Sequence, residues 1–102
     1  MNLYRGIRYH VGKCDVTVNG APLPLCLHVR NHSPTGFEWG YGGSGPSQLA
    51  LALLVAEFTD PRIALRIYQR FKWAAVIHLA RAGWTLTSDQ IREAVRDLPD
   101  TP

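Results

Sequence analysis

GYGGSGPSQLALALLVAEF, residues 40–58, divides this 102-residue chain. Ahead of it lie alternating, strand-like patterns; behind it helical periods dominate. Four of the nine glycines fall between Gly40 and Gly45. Pro46 follows them, and its fixed φ suits the first turn of a helix. From Gln48 to Phe58 the pattern is apolar nearly all round, so this helix belongs at the centre of a core. A chain that spends strands first and helices afterwards reads as α+β. The expected architecture is a small antiparallel sheet, built from an N-terminal strand, an Asn-Gly hairpin and a short further strand, packed on one face by about three helices.

Upstream, Leu3, Ile7, Tyr9 and Val11 alternate with Tyr4, Arg8 and His10, which predicts a half-buried strand with the first set inward and Arg5 interrupting it. Val16 and Val18 point inward on the next strand. Asn19-Gly20 is the strongest two-residue hairpin signal, because both positions must take φ > 0. The return strand is expected to carry Leu23, Leu25, Leu27 and Val29 inward, with Pro22 and Pro24 confining it partly to an edge. Phe37 to Trp39 reads as a further short strand.

Downstream, Asp60-Pro61 is an N-cap followed by a first-turn proline. The helix it opens is expected to run to about Ala82 and stop at Gly83. Trp84 to Thr87 reads as a short strand or an extended link. Thr87 and Gln90 form a capping box, and Ile91, Ala94, Val95 and Leu98 give the last helix one apolar face. Residues 1–98 make one domain and residues 99–102 a loose tail.

Hydrophobic residues are 46% of the chain and charged residues 19%, which argues against general disorder. The longest apolar run, Leu49 to Ala56, is far short of the roughly 18 to 20 residues that span a bilayer. The opening MNLYRGIRYH has no signal-peptide character. Two cysteines make no disulfide scaffold, and a cytoplasmic setting in a bacterium or infected host cell is expected. The net charge of +3 excludes an acidic nucleic-acid mimic and hides an uneven distribution. Residues 61–88 hold Arg62, Arg66, Arg70, Lys72 and Arg81 with no acid. Residues 89–102 hold Arg92 and Arg96 against Asp89, Glu93, Asp97 and Asp100.

On a helical projection Ala64, Ile67, Tyr68, Phe71, Ala75, Leu79 and Ala82 form the core stripe, with Lys72 beside it. The opposite side carries Arg62, Arg66, Arg70, Trp73, Ile77 and Arg81. These six are the candidate partner-binding or nucleic-acid-binding residues. A solvated face whose arginine stems cover Trp73 explains the same pattern. The backbone of Gly42, Gly43, Ser44 and Gly45, ahead of a helix, is a candidate anion site. A tight corner under Trp39 and Tyr41 is the alternative, and the Walker lysine is missing. Arg8, His10, His28 and Arg30 are expected to share the sheet face turned away from the leucines. Cys14, Cys26, His28 and His32 do not have zinc-finger spacing, and the hairpin register turns the two cysteines to opposite faces, so no metal or other cofactor is expected. No catalytic motif appears, so no enzymatic activity is expected.

The segments Trp39-Gly40-Tyr41-Gly42-Gly43-Ser44-Gly45-Pro46, Tyr68-Gln69-Arg70-Phe71-Lys72 and Gly83-Trp84-Thr85-Leu86-Thr87 resemble a family of small proteins of bacteria, phages and plasmids with no assigned activity. The resemblance implies a compact domain in a mobile-element setting and hands over no catalytic residue. Three functions follow as expectations. The first is a non-enzymatic binding protein acting on a host protein or nucleoprotein complex, by analogy an inhibitor of a bacterial defence system such as an anti-CRISPR. The second is direct binding of DNA or RNA, and the third a nucleotide phosphate held at the glycine loop. A homo-oligomer is compatible with each, and no membrane partner is expected.

Overall fold

The computed structural model describes residues 1–10 and 12–98. Strands β1 (Leu3–His10), β2 (Lys13–Val18), β3 (Ala21–Pro22) and β4 (Gly83–Thr87) form one antiparallel sheet in the order β3-β2-β1-β4. Helices α1 (Ser44–Phe58), α2 (Pro61–Ala74) and α3 (Ser88–Arg96) complete an α+β domain. The expected architecture holds, and the expected tail at 99–102 lies outside the described residues, as does Val11.

Helix α1 is the core. Every residue from Leu49 to Leu54 is fully buried, as its unbroken apolar pattern requires. Asp60 caps α2 by accepting the Arg62 N–H at 2.9 Å, with Pro61 in the first turn. The expected capping box at Thr87 and Gln90 is present in full.

Three expectations fail, each for a physical reason. First, β1 is turned over: Tyr4 and Gly6 are buried, whereas Leu3 and Tyr9 are 50% and 58% exposed. The inward face is decided by fit and hydrogen bonding rather than by the number of apolar residues. Gly6 pairs across the ladder with Trp84, and a Cβ on Gly6 would stand 2.4 Å from the indole, so only glycine admits that ring. Trp84 in turn meets Trp39 edge to face at 5.5 Å.

Second, the return strand of the hairpin ends after two residues. Val18 pairs with Ala21 and Thr17 with Pro22, and the Leu23 N–H reaches the Val16 carbonyl at 3.0 Å. Beyond that the chain leaves the sheet. Cys26 takes φ 59° and the chain turns at residues 27–29. Gln48, buried in α1, draws the departing segment inward with all its hydrogen-bonding capacity. Its Nε2 donates to the carbonyls of Leu25 (2.6 Å) and Arg30 (3.0 Å), and its Oε1 accepts the N–H groups of His32 (2.7 Å) and Ser33 (3.0 Å). Phe37 and Trp39 are likewise buried without forming a strand.

Third, α2 stops at Ala74 instead of Ala82. A short 3₁₀ turn, Val76–His78, and an extended stretch follow. The freed carbonyls hold the core: Ala80 and Arg81 accept the Trp39 indole N–H at 3.0 and 3.2 Å, and Val76 accepts the Gly40 N–H at 3.2 Å.

Glu57 closes the other end of α1. Its Oε1 accepts the hydroxyls of Tyr4 (2.9 Å) and Ser88 (2.8 Å) and the amide of Asn2 (3.3 Å). Its Oε2 accepts Arg92 Nε at 2.6 Å. Burial alone would raise this carboxyl's pKa; the donors Ser88, Arg92, Tyr4 and Asn2 together outweigh it and hold the pKa below the usual glutamate range. Tyr4 moves the opposite way, raised by burial and by the carboxylate it faces.

A carboxyl with a depressed folded pKa stabilises the fold above its unfolded value, about 4.3, and loses that contribution as pH falls through the folded value. Urea unfolding from pH 7 to pH 2 is therefore expected to show stability falling on the acid side. Glu57→Gln should remove about 2 kcal/mol at pH 7 and leave a shallower acid limb. An unchanged acid limb in the variant would refute this account of Glu57. Gln48→Ala strips four partners from the segment at 25–33, so amide exchange at His32 and Ser33 should accelerate by at least about tenfold relative to α1.

Candidate functional site

The structure divides the predicted six-residue face. Arg62, Arg66, Arg70 and Trp73 lie on α2. Ile77 and Arg81 do not, because the helix has ended. Ile77 is half-buried in the 3₁₀ turn. Arg81 is exposed further along, its stem 3.4 Å from where a Cβ on Gly40 would stand. Arg62 is ion-paired with its own cap, Asp60, at 3.2 Å. Arg66 is exposed, and Arg70, half-buried, reaches the Arg66 carbonyl at 3.4 Å.

The predicted sheet-face group also comes apart. Arg8 lies on the helix side of β1, not with His10. It makes a two-pronged ion pair with Glu38, Nη1 to Oε2 and Nη2 to Oε1 both at 2.7 Å. Its Nε donates to the Arg81 carbonyl at 2.8 Å, and its guanidinium lies 4.9 Å from the Trp39 ring centroid. The pair with Arg8 outweighs burial and holds the Glu38 carboxyl below the usual range. His28 and Arg30 are exposed in the irregular segment after the hairpin, away from the paired strands.

What sequence reasoning treated as two separate features, the glycine loop and Trp73, meet on one surface. Trp73 is 57% exposed and Tyr41 is 47% exposed. The outer edge of the Trp73 ring presses on Gly42, where a Cβ would stand 2.5 Å from the ring. The Tyr41 ring presses on Gly43 at 2.6 Å. Gly45 is closed by Glu38, whose Cβ would lie 2.6 Å away and whose backbone N 3.1 Å. The expected tight corner is therefore real under Tyr41, with Trp73 in the place expected for Trp39. Gly43 forms the N-cap of α1, extended and without a side-chain cap bond.

Lys72 completes this surface from below. It was expected beside the core stripe, and it is 7% exposed. Its ammonium donates to Ser47 Oγ, in the first turn of α1, at 3.1 Å and lies 4.8 Å from the Trp73 ring centroid. Among the described residues no carboxylate lies within 4 Å of it. Nearby, His32 Nε2 and the Tyr68 hydroxyl are 2.7 Å apart. Burial, Arg30 and Lys72 lower the His32 pKa below the usual histidine value.

The cysteines stand apart. Cys14 contacts Glu38 at 3.5 Å, and burial followed by that carboxylate pushes its thiol up to about 11; Cys26 bonds to the Pro24 carbonyl at 3.6 Å. Among the described residues no three His, Cys, Asp or Glu side chains gather as a metal site, and no helix is long and apolar enough to cross a membrane. An open cleft of about 410 Å³ borders Glu57, Ser88, Arg92 and Asn2, but both oxygens of its carboxylate are taken up by the donors described above.

Fold and site together define a small α+β domain whose sheet is open on one side and whose aromatic residues crowd a glycine corner at the head of the central helix. A model of a family of unknown function, DUF6166, matches residues 4–97, and the chain belongs to that family. No curated protein and no solved structure matches it.

The rings over Gly42 and Gly43 are the free ends of exposed side chains, so they yield where backbone would not. Gly42→Ala is expected to cost less than about 1 kcal/mol while displacing the Trp73 ring. Gly45→Ala meets a backbone nitrogen and should cost at least about twice as much. Thermal unfolding of the two variants measures the contrast, and equal losses would contradict the described packing.

Proposed function

We propose that this chain is a small non-enzymatic binding protein of mobile-element type that engages a host protein or nucleoprotein complex through the Trp73–Tyr41 surface, with Arg66 and Arg70 at its rim. The observation that carries the reading is two large aromatic rings, each about half exposed, set on a strip of glycines. Aromatic and arginine side chains are the residues that most often dominate binding energy at interfaces. The two best-shielded carboxylates, Glu38 and Glu57, are both engaged in ion pairs within the fold, which leaves them poorly placed for acid–base work. The mobile-element setting comes from the resemblance alone. An inhibitor of a bacterial defence complex is one member of this class by analogy.

A second reading, direct binding of single-stranded nucleic acid, is favoured by one observation. The stretch 61–88 pairs exposed Trp73 with five basic residues and no acid. Bases stack on such rings, and basic side chains track the phosphates.

Affinity capture from bacterial lysate separates face from fold. Wild type and Tyr9→Ala, altered on the open side of the sheet, should retain the same specific partner, and Trp73→Ala should lose it. Retention by Trp73→Ala overturns the proposed face. A mobility shift of single-stranded DNA or RNA at low salt, with a salt slope reduced by about one in Arg66→Ala, would select the second reading.

A further inference from the structure

The sheet has two edges, and they are finished differently. β3 is only two residues long, and neither Pro22 within it nor Pro24 beyond it has an N–H to offer a further strand. β4, at the opposite edge, has no such protection. Gly83–Thr87 contains no charge and no proline, and its ladder with β1 runs without a bulge.

The ladder fixes which backbone groups of β4 are left over. The Arg8 N–H donates to the Ala82 carbonyl and the Ser88 N–H to the Asn2 carbonyl, both at 3.0 Å, so the even-numbered positions of β4 are those that bond to β1. Gly83, Thr85 and Thr87 therefore turn their N–H and C=O groups outward. Gln90 Oε1 accepts the Thr87 N–H at 2.9 Å. The N–H and C=O groups of Gly83 and Thr85 have no hydrogen-bond partner among the described residues.

Such an edge is its own complement when a second copy runs antiparallel to it, because donors and acceptors then meet at alternate positions. The side chains agree with that sense. Across β4 the charge of the chain changes sign: residues 61–82 carry five basic side chains and no acid, whereas residues 89–98 carry three acids against two bases. Arg81 and Asp89 flank the strand, both are exposed, and neither has an ion-pair partner among the described residues.

We infer that β4 is a homodimer edge, on which a second copy of this chain pairs antiparallel about a two-fold axis at Trp84 to make one continuous sheet. Gly83 of each copy stands opposite Thr85 of the other, and the four free groups on each edge are all satisfied. Thr85 of the second copy then lies beside Gly83, which has no side chain, at an open depression of about 490 Å³ bordered by Ile7, Gly83 and Thr85. Arg81 comes opposite Thr87 of the second copy. Asp89 of that copy, two positions further on, is within reach of an arginine side chain, and the symmetry makes this contact twice. Strand pairing uses the backbone of β4, to which neither Trp73 nor Tyr41 belongs, so the inference does not depend on the Trp73–Tyr41 reading.

Sedimentation velocity between about 10 μM and about 1 mM tests it, since a single-strand edge buries less than a standard interface and should dissociate on dilution. A monomer–dimer equilibrium is expected. Amide exchange locates the contact: Gly83 and Thr85 should slow by about fivefold or more across that range, while Trp84 and Leu86, bonded to β1, stay constant. Thr85→Pro removes an outward N–H and no bond to β1, and should leave the chain monomeric. Arg81→Glu and Asp89→Lys should each weaken association by about fivefold or more, and the double variant should restore it. That restoration reports pairing between copies even if the proline variant does not fold. A chain monomeric throughout the range overturns the inference and leaves the edge to a strand of another protein. A dimer whose Gly83 and Thr85 amides exchange as fast as in the monomer, or a charge swap that fails to restore association, overturns it as well.

Discussion

The fold depends on one buried carboxylate. Glu57 sits on the last turn of α1, where a negative charge meets the unfavourable end of the helix dipole and almost no water. It is tenable there because two chain segments deliver donors to it: Asn2 and Tyr4 from the N-terminal segment, Ser88 and Arg92 from the last helix. Arg92 also bonds the Glu57 carbonyl at 3.1 Å and lies over Phe58. The charge therefore dictates that both ends of the chain close on the same point. β1 and β4 become neighbours as a consequence, reinforced by the reciprocal bonds between Asn2 and Ser88.

A second polar group works at the other end of the same helix. Gln48 and Glu57 are nine positions apart, about 14 Å along the axis. Between them the helix is wholly apolar. Gln48 organises the irregular segment as Glu57 organises the termini. Arg8 and Glu38 form a third node that ties β1, the chain entering the glycine corner and the stretch after α2. Apolar burial supplies the driving force, while these three nodes decide which surfaces meet.

How much of this could be read from the letters follows from the range of the interactions. The helix caps at Asp60 and Thr87, the central helix and the Asn19-Gly20 turn are local, and each is legible within a few residues. The inward face of β1 is not, since it depends on Trp84 needing Gly6 nearly eighty residues away and on Tyr4 reaching Glu57. The end of α2 escapes for a similar reason. No breaker interrupts 75–82; the Gly40 N–H claims the Val76 carbonyl that a continuing helix would have used, and Trp39 and Arg8 hold the Ala80 and Arg81 carbonyls beyond it. Of the candidate site, Trp73 and the glycines were visible as oddities. Their meeting, and the role of Lys72, required the fold. A lone acid and a lone amide in an apolar helix, Glu57 and Gln48, were the signals present but unread.

The three tryptophans occupy three different worlds. Trp39 is sealed in the core, Trp84 lies against Gly6 with its indole N–H lacking an acceptor among the described residues, and Trp73 stands in solvent beside an ammonium group. Their emission is accordingly heterogeneous by construction: two blue-shifted, shielded fluorophores and one red-shifted fluorophore open to collisional quenchers. A single spectrum of the unlabelled protein thus contains separate optical channels for the integrity of the interior and for events at the glycine corner.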